Sequence, residues 1–294
     1  MLSVLVPTYN YNVYPLVREI HKQALKSNKP FEILVFDDAS TQRFKTDTLL
    51  QELSFVTYKK LSKNLGRTAT RQELAKAAQY DNLLFMDADT FPKNPDFLTK
   101  IYTFLMEGSA FEVLFGGVVF QENKPKQEQL LRWTYGKSRE ALSLEKRLKA
   151  PYLSIISTSF LIKKPLFLTV NKALRYKRYG LDVLFSYLLK EQKVVVKHID
   201  NPIYHFGLET SLDFIKKSEK AIDTSIFLVQ ENLLPSTYRK IDFLNKKYAK
   251  FGTCFLAKTL FILFHKLMII QLKSSKPSLR IFDLYRYGYY CLKK

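Results

Sequence analysis

The stretch Leu83-Leu84-Phe85-Met86-Asp87-Ala88-Asp89-Thr90-Phe91-Pro92 decides how this chain is read. Four apolar residues in a row, closed by a turn-forming cluster, predict a short buried strand. Side chains alternate between the faces of extended backbone, so Asp87 and Asp89 leave the strand end on the same side. Two like charges held that close repel unless a cation answers them. Hard divalent ions such as magnesium or manganese choose carboxylate oxygens. The bland alternative is a solvated turn in which aspartate merely stops the strand.

Working outward, the same grammar repeats. "SVLVPTYN" (residues 3–10) is an apolar run ending in a polar loop, and "FEILVFDDAS" (31–40) is a second. Between them, Tyr14 to Lys26 carries Leu16, Val17, Ile20 and Leu25 at helical spacing. Phe55 to Leu61 reads as a weaker strand, and "RTATRQELAKAAQY" (67–80) as an alanine-rich helix before the quoted strand. Short apolar strands separated by helices predict a mainly parallel α/β sheet flanked by helices. Ligands of such sheets bind beyond the carboxyl ends of the strands. Polar residues collect there: Pro7, Thr8, Tyr9 and Asn10, then Asp37 and Asp38, then Asp87 and Asp89. Three strand ends supplying one rim favour a site over a set of unrelated turns.

Farther along, "VLFGGVVF" (113–120) reads as one strand and residues 128–149 as one helix. "LSIISTSFLIKK" (153–164) reads as a strand, "LDVLFSYLLKEQ" (181–192) and residues 211–232 as helices. No repeat or low-complexity linker divides them.

Composition bounds the function. The 294 residues hold 47 Lys and Arg against 27 Asp and Glu, a net charge of +20 that favours anionic partners. Hydrophobic residues at 47% exclude whole-chain disorder. Cys254 and Cys291 are the only cysteines, without CxxC spacing or a Cys/His cluster, so neither a disulfide framework nor a structural zinc site is expected. A reduced cytoplasmic setting is the corresponding expectation. "MLSVLVPTYN" lacks the basic start and long apolar run of a signal peptide. No nucleic-acid signature accompanies the charge, so nucleic acid is not an expected partner. A nucleotidyltransferase would need a Gly/Lys/Arg-rich phosphate loop after the first strand, and "PTYNYN" has none.

From Ser236 onward the balance shifts to thirteen basic residues against Asp242 and Asp283. Within this tail, residues 251–272 form a very apolar helix interrupted by Lys258, His265 and Lys266. A basic amphipathic helix of this kind suits the plane of an anionic membrane surface better than a spanning path, which would bury both lysines. The rival is a helix packed on the catalytic domain. Residues 1–232 are therefore expected to form one domain, and 233–294 a helical basic appendage.

The order VPTYN, FDDAS, NLGRTATRQELAKAA, FMDADTFP, YGLDVLF and HFGLE resembles that of the family 2 glycosyltransferases, in a bacterial subgroup that modifies surface polysaccharides. The resemblance covers roughly residues 2–232. It implies a GT-A fold and inverting transfer of a sugar from a nucleotide-diphosphate donor, UDP-sugar by default, to a hydroxyl of a glycan or lipid-linked acceptor. It further implies a divalent cofactor, Mn2+ or Mg2+, and a location on the inner face of the plasma membrane.

By the same resemblance Pro7, Thr8, Tyr9, Asp37 and Asp38 would line the nucleoside end, with Arg71 and Asp87 approaching the nucleotide. Asp89 and His205 would be the metal side, Asp182 the catalytic base, and Trp133, Arg139 and Glu140 the acceptor-side helix. Asp is also a preferred helix cap, which is the plain alternative for Asp182. Leu181 stands where the family carries a glutamate. A protein that binds donor or glycan without turnover is the alternative this substitution raises.

Overall fold

A computed structural model describes residues 1–42, 44–239, 241, 243 and 252–294. Lys240, Asp242, Lys246, Lys247 and Lys250 of the basic tail lie outside the described residues. The chain divides into two compact units. The first comprises Met1–Gln121, Glu140–Arg175 and Leu188–Gly207, and the second Glu122–Arg139, Tyr176–Tyr187 and Leu208–Lys294.

The first unit is built on a seven-stranded sheet. Its strands are β1 (Leu2–Thr8), β2 (Phe31–Asp37), β3 (Val56–Lys60), β4 (Asn82–Met86), β6 (Val113–Phe115), β8 (Ser159–Lys163) and β9 (Val196–His198). The spatial order is β3-β2-β1-β4-β8-β6-β9. Every neighbouring pair is parallel except those made by β8, which runs against both β4 and β6. A smaller sheet of β5 (Thr90–Pro92), β10 (Ile203–His205) and β7 (Val118–Val119) stands beside it in the order β5-β10-β7.

The expected mainly parallel sheet flanked by helices is present, and its central strands are apolar because both faces are covered. Leu2, Val4, Leu5, Ile33, Val35, Leu83 and Phe85 are completely buried. Each such side chain contributes about 2 kcal/mol of transfer free energy. Helix α1 (Tyr14–Lys26) carries Pro15 in its first turn, where the missing N–H costs nothing, and buries Leu16, Val17, Ile20 and Ala24 as one stripe. Helix α2 (Arg67–Ala77) starts after Gly66, whose φ of +83° suits glycine, and turns Arg71, Leu74 and Ala75 inward. Also present are α3 (Phe97–Met106), α5 (Leu144–Leu148) and α6 (Lys164–Ala173); α7 (Asp182–Glu191) is divided between the units.

Two sequence expectations change here. "VLFGGVVF" is not one strand: it breaks at Gly116-Gly117, and β6 and β7 join different sheets. A β-carbon on Gly116 would stand 2.2 Å from the Asn201 carbonyl oxygen, so the crossing point requires glycine. Nor is 128–149 one helix; it resolves into α4 (Leu130–Tyr135), a π-turn over Gly136–Glu140 and α5. Ser143 starts α5 anew, its side chain accepting from the Lys146 N–H.

The second unit is helical: α4, α8 (Ser211–Gln230), α9 (Thr253–Leu272) and α10 (Leu279–Lys293). Thr210 caps α8 by accepting from the Asp213 N–H, and Ser278 caps α10 through Ile281. Leu131, Phe214, Ile215, Phe261, Met268, Leu272, Phe282 and Tyr285 form one core. The expected boundary at 232/233 is not where the units part, because the buried face of α9 needs cover that α4, α8 and α10 supply. Gly288 lets α10 close on α9: a β-carbon there would stand 2.6 Å from Phe261 Cβ. The cysteines also depart from expectation. The hairpin of α9 and α10 folds Cys254 onto Cys291, Cα–Cα 5.4 Å, and they pair as a disulfide.

Candidate active site

The carboxyl ends of β1, β2 and β4 share one edge of the large sheet, as the registers Thr8↔Asp37 and Leu5↔Phe85 require. On that edge the four aspartates divide into different duties.

Asp37 and Asp38 are buried and already engaged. Asp37 accepts the Ser40 N–H at 2.7 Å on one oxygen and the Tyr58 hydroxyl at 2.9 Å on the other. Asp38 accepts the Leu65 N–H at 2.7 Å and the Gly66 N–H at 2.9 Å. The pair thus pins the turn after β2 to the loop that starts α2, using orphan amides at a helix start. Only their remaining lone pairs face anything else. Asn10, with φ of +50°, holds the same turn by accepting from the Thr41 and Gln42 N–H groups. Thr8 is buried, its hydroxyl donating to the Tyr11 carbonyl at 3.2 Å, Pro7 is half-buried, and Tyr9 is exposed.

Asp87 lies between two guanidinium groups. Arg71 donates to one oxygen at 2.6 Å and Arg67 to the other. Arg71 is buried, with Phe85 and Phe160 against its guanidinium at 5.7 Å, and it also donates to the Ser157 carbonyl. Asp87 is in turn fixed at its backbone, its N–H donating to the Thr158 carbonyl at 2.8 Å. Because β8 runs backward, its beginning reaches this rim and supplies those carbonyls.

Asp89 has a different partner. Its Oδ2 stands 3.3 Å from Nε2 of His205, and its carbonyl accepts the Phe206 N–H at 2.8 Å. The antiparallel register of β10 on β5 makes this meeting, since His205 pairs with Thr90, the next residue along. Burial works to raise the Asp89 carboxyl. The hydrogen bond and charge of His205, with Arg67 behind them, more than offset it and hold the group below the usual carboxylate range. Burial, and to a lesser degree the same carboxylate, push the Tyr11 phenol up.

Among the described residues no three His, Cys, Asp or Glu side chains converge to hold a metal by themselves. The donors present nevertheless suit one. Ions of the Mg2+ type take one or two protein ligands and complete their shell with phosphate and water, and carboxylate oxygen suits manganese equally. The Asp89–His205 pair also has a cradle made for it: a β-carbon on Gly207 would lie 1.7 Å from Asp89 Oδ2.

The family model described as "Glycosyl transferase family 2" matches residues 3–167, more than half of the chain. The chain belongs to glycosyl transferase family 2.

Solved structures agree on the GT-A fold. Residues 1–349 of S. aureus TarS are 17% identical, with 99% of this chain and 89% of that one covered at a TM-score of 0.51. Mannosyl-3-phosphoglycerate synthase from Rubrobacter xylanophilus is 17% identical, with coverages of 80% and 76% and a TM-score of 0.53. The mannosyltransferase PcManGT from Pyrobaculum calidifontis, in complex with GDP-Man and Mn2+, is 14% identical, with coverages of 76% and 64% and a TM-score of 0.51. No curated protein sequence matches the chain.

The remaining residues singled out in this family 2 chain fall on other elements. Asp182 opens α7, in the second unit, directly after the buried Leu181. Trp133 lies on α4 with the Lys137 ammonium 5.0 Å from its ring, and Arg139 donates to Asp283 at 2.8 Å, all within the second unit. Glu140 begins the next segment of the first unit. Sequence reasoning passed over Arg67 and Gly207. Arg67 had a visible signal, since it precedes Arg71 by one helical turn. Gly207 had none, because its necessity lies in the atom opposite.

Proposed function

We propose that this protein is a metal-dependent inverting glycosyltransferase. It moves a sugar from a nucleotide-diphosphate donor, a UDP-sugar first of all, to a hydroxyl of a glycan or lipid-linked acceptor in cell-surface polysaccharide synthesis. The observation that carries this reading is the division of labour at the end of β4: Asp87 is held by two arginines, while Asp89 is turned to His205 and kept ionised. PcManGT, a neighbour in fold, is in complex with GDP-Man and Mn2+, which supports a donor and a metal at such a rim.

In this reading Tyr9, Thr8, Pro7 and the Asp37-Asp38 turn receive the nucleoside. Asp87, steadied by Arg67 and Arg71, meets the ribose. Asp89 and His205 would hold a divalent ion, which when bound would supply positive charge for the departing diphosphate. Asp182 takes the proton from the acceptor hydroxyl as it attacks the anomeric carbon from the face opposite the leaving group. That direction of attack inverts the centre, as in inverting hydrolysis with an alcohol in place of water. Trp133, Arg139 and Glu140 belong to the acceptor side.

Calorimetric titration of UDP and then GDP into the protein with manganese, with chelator, and in Asp89→Ala tests the donor site. Metal-dependent binding lost in the variant supports the reading and names the nucleotide; no binding of either nucleotide sinks it. Leu181 favours a second reading, binding without turnover, because a buried leucine offers an acceptor no hydrogen bond. Nucleotide binding without sugar transfer across a panel of donors and acceptors would select it.

A further inference from the structure

Helix α9 is packed on one side only. Ala257, Phe261, Met268 and Leu272 are buried in the second unit's cores, against residues of α4, α8 and α10. The opposite face is as apolar as the buried one: Phe255 is 77% exposed, Leu256 60%, Leu263 66%, Leu267 61% and Ile270 66%. Leu256, Leu263, Leu267 and Ile270 follow at intervals of seven, four and three, so they lie along one stripe. Lys266 and Lys273 are exposed beside it, Lys258 is exposed farther round the same flank, and no Asp or Glu occurs between residues 243 and 282.

We propose that this face of α9 rests in the surface of an anionic lipid bilayer, with the helix lying in the membrane plane. The apolar stripe enters the acyl boundary and the lysines extend to headgroup phosphates, their methylene stems covering the margin. Charge decides the occupant. A second copy of the chain would bring Lys258, Lys266 and Lys273 against the same three lysines with no carboxylate to answer them. Anionic headgroups answer all three.

The helix is long and apolar enough to cross a bilayer by length and composition. Two features set it flat instead. Lys258 and Lys266 would both sit within the hydrocarbon. The inner face is committed to a core in which Tyr285 also donates to Glu219 at 2.5 Å and Tyr289 to Asp223 at 3.1 Å, so that side is not available to lipid.

Flotation of the full-length protein with vesicles tests the proposal. One set contains phosphatidylglycerol and phosphatidylcholine, the other phosphatidylcholine alone. The protein is expected to float with the anionic vesicles and to be released by high salt. Leu263→Gln/Ile270→Gln is expected to weaken that binding about tenfold or more. Both positions are exposed, so circular dichroism and the thermal midpoint should be unchanged. Lys266→Glu/Lys273→Glu is expected to weaken binding to a similar degree on anionic vesicles only. Equal flotation of the parent and both variants would overturn the proposal. So would a lipid-free dimer, seen by sedimentation and abolished by the glutamine substitutions, or a parent protein that resists alkaline extraction as a spanning protein does.

Discussion

Gly207 has no side chain where Asp89 has its outer oxygen: a β-carbon at 207 would lie 1.7 Å from Asp89 Oδ2. Asp89 is held at its backbone carbonyl by the Phe206 N–H, so its side chain, beside His205, is the part that must give. Gly207→Ala is therefore expected to swing the carboxylate away while the sheet persists, at a cost of about 1–3 kcal/mol in stability. Nucleotide affinity in manganese should fall to the level of Asp89→Ala, measured by calorimetry. An affinity equal to the parent's would show that the rim relaxes around the methyl group.

Arg71 is expected to matter more for placing Asp87 than for touching donor. Arg71→Met removes the 2.6 Å bond and the support at the Ser157 carbonyl while the apolar stem is kept. Loss of a charged partner to a largely buried carboxylate costs about 2–3 kcal/mol, readable as a lower urea midpoint. Donor affinity should drop about tenfold. Arg71→Lys should not restore it, since an ammonium lacks the flat guanidinium that packs against Phe85 and Phe160 while it reaches Asp87. Recovery by lysine would count against the positioning role.

How much of this was legible beforehand follows from what each residue depends on. Strand runs and their polar ends are local, so β1, β2 and β4 and the rim aspartates could be read from alternation and turn chemistry. The pairing of Asp89 with His205 was expected only through the family resemblance, because it hangs on the register of β10 against β5, two short segments far apart in the chain. The Gly116-Gly117 break was hidden for the same reason: its cause is the Asn201 carbonyl. The C-terminal helices were recognised as apolar and basic, with packing on protein and a membrane surface as rivals; periodicity alone does not say which stripe meets protein.

Arg147 is the largest fully buried side chain, and its guanidinium serves the main chain. It donates to the carbonyls of Phe115 at 3.1 Å, Gly116 at 3.3 Å and Ile199 at 2.9 Å. Arg147→Met takes the donor from the Ile199 carbonyl, at about 1–3 kcal/mol where water cannot replace it, while the Phe115 and Gly116 carbonyls keep the N–H groups of Ile199 and Asn201. A destabilisation of about 2 kcal/mol is expected in urea, with the far-ultraviolet spectrum retained. A loss below about 1 kcal/mol would mean that water enters the cavity.

His198 makes this region sensitive to acid. Burial depresses its pKa, and Arg147 beside it adds to the effect against the Pro151 hydrogen bond. In the neutral ring Nε2 donates to the Pro151 carbonyl at 3.0 Å and Nδ1 accepts from Arg147 at 3.2 Å. A second proton would turn Nδ1 into a donor facing a donor. The unfolded chain therefore protonates first. Stability is intact above the ordinary value of 6.5 and declines as pH falls through the lower folded value. Urea midpoints at about pH 7.5 and 5.5 should show this decline in the parent and a shallower one in His198→Gln.

The reversed direction of β8 has a consequence for assembly. Asp87 takes its place only when residues 157 and 158 stand beside it, because Arg71 and the Asp87 amide both end on carbonyls at the beginning of that strand. A nascent chain that has emerged as far as β7 carries the whole aspartate sequence but not the geometry. The Asp37-Asp38 turn needs nothing beyond Gly66, whereas the setting of Asp87 depends on residues past the midpoint of the polypeptide.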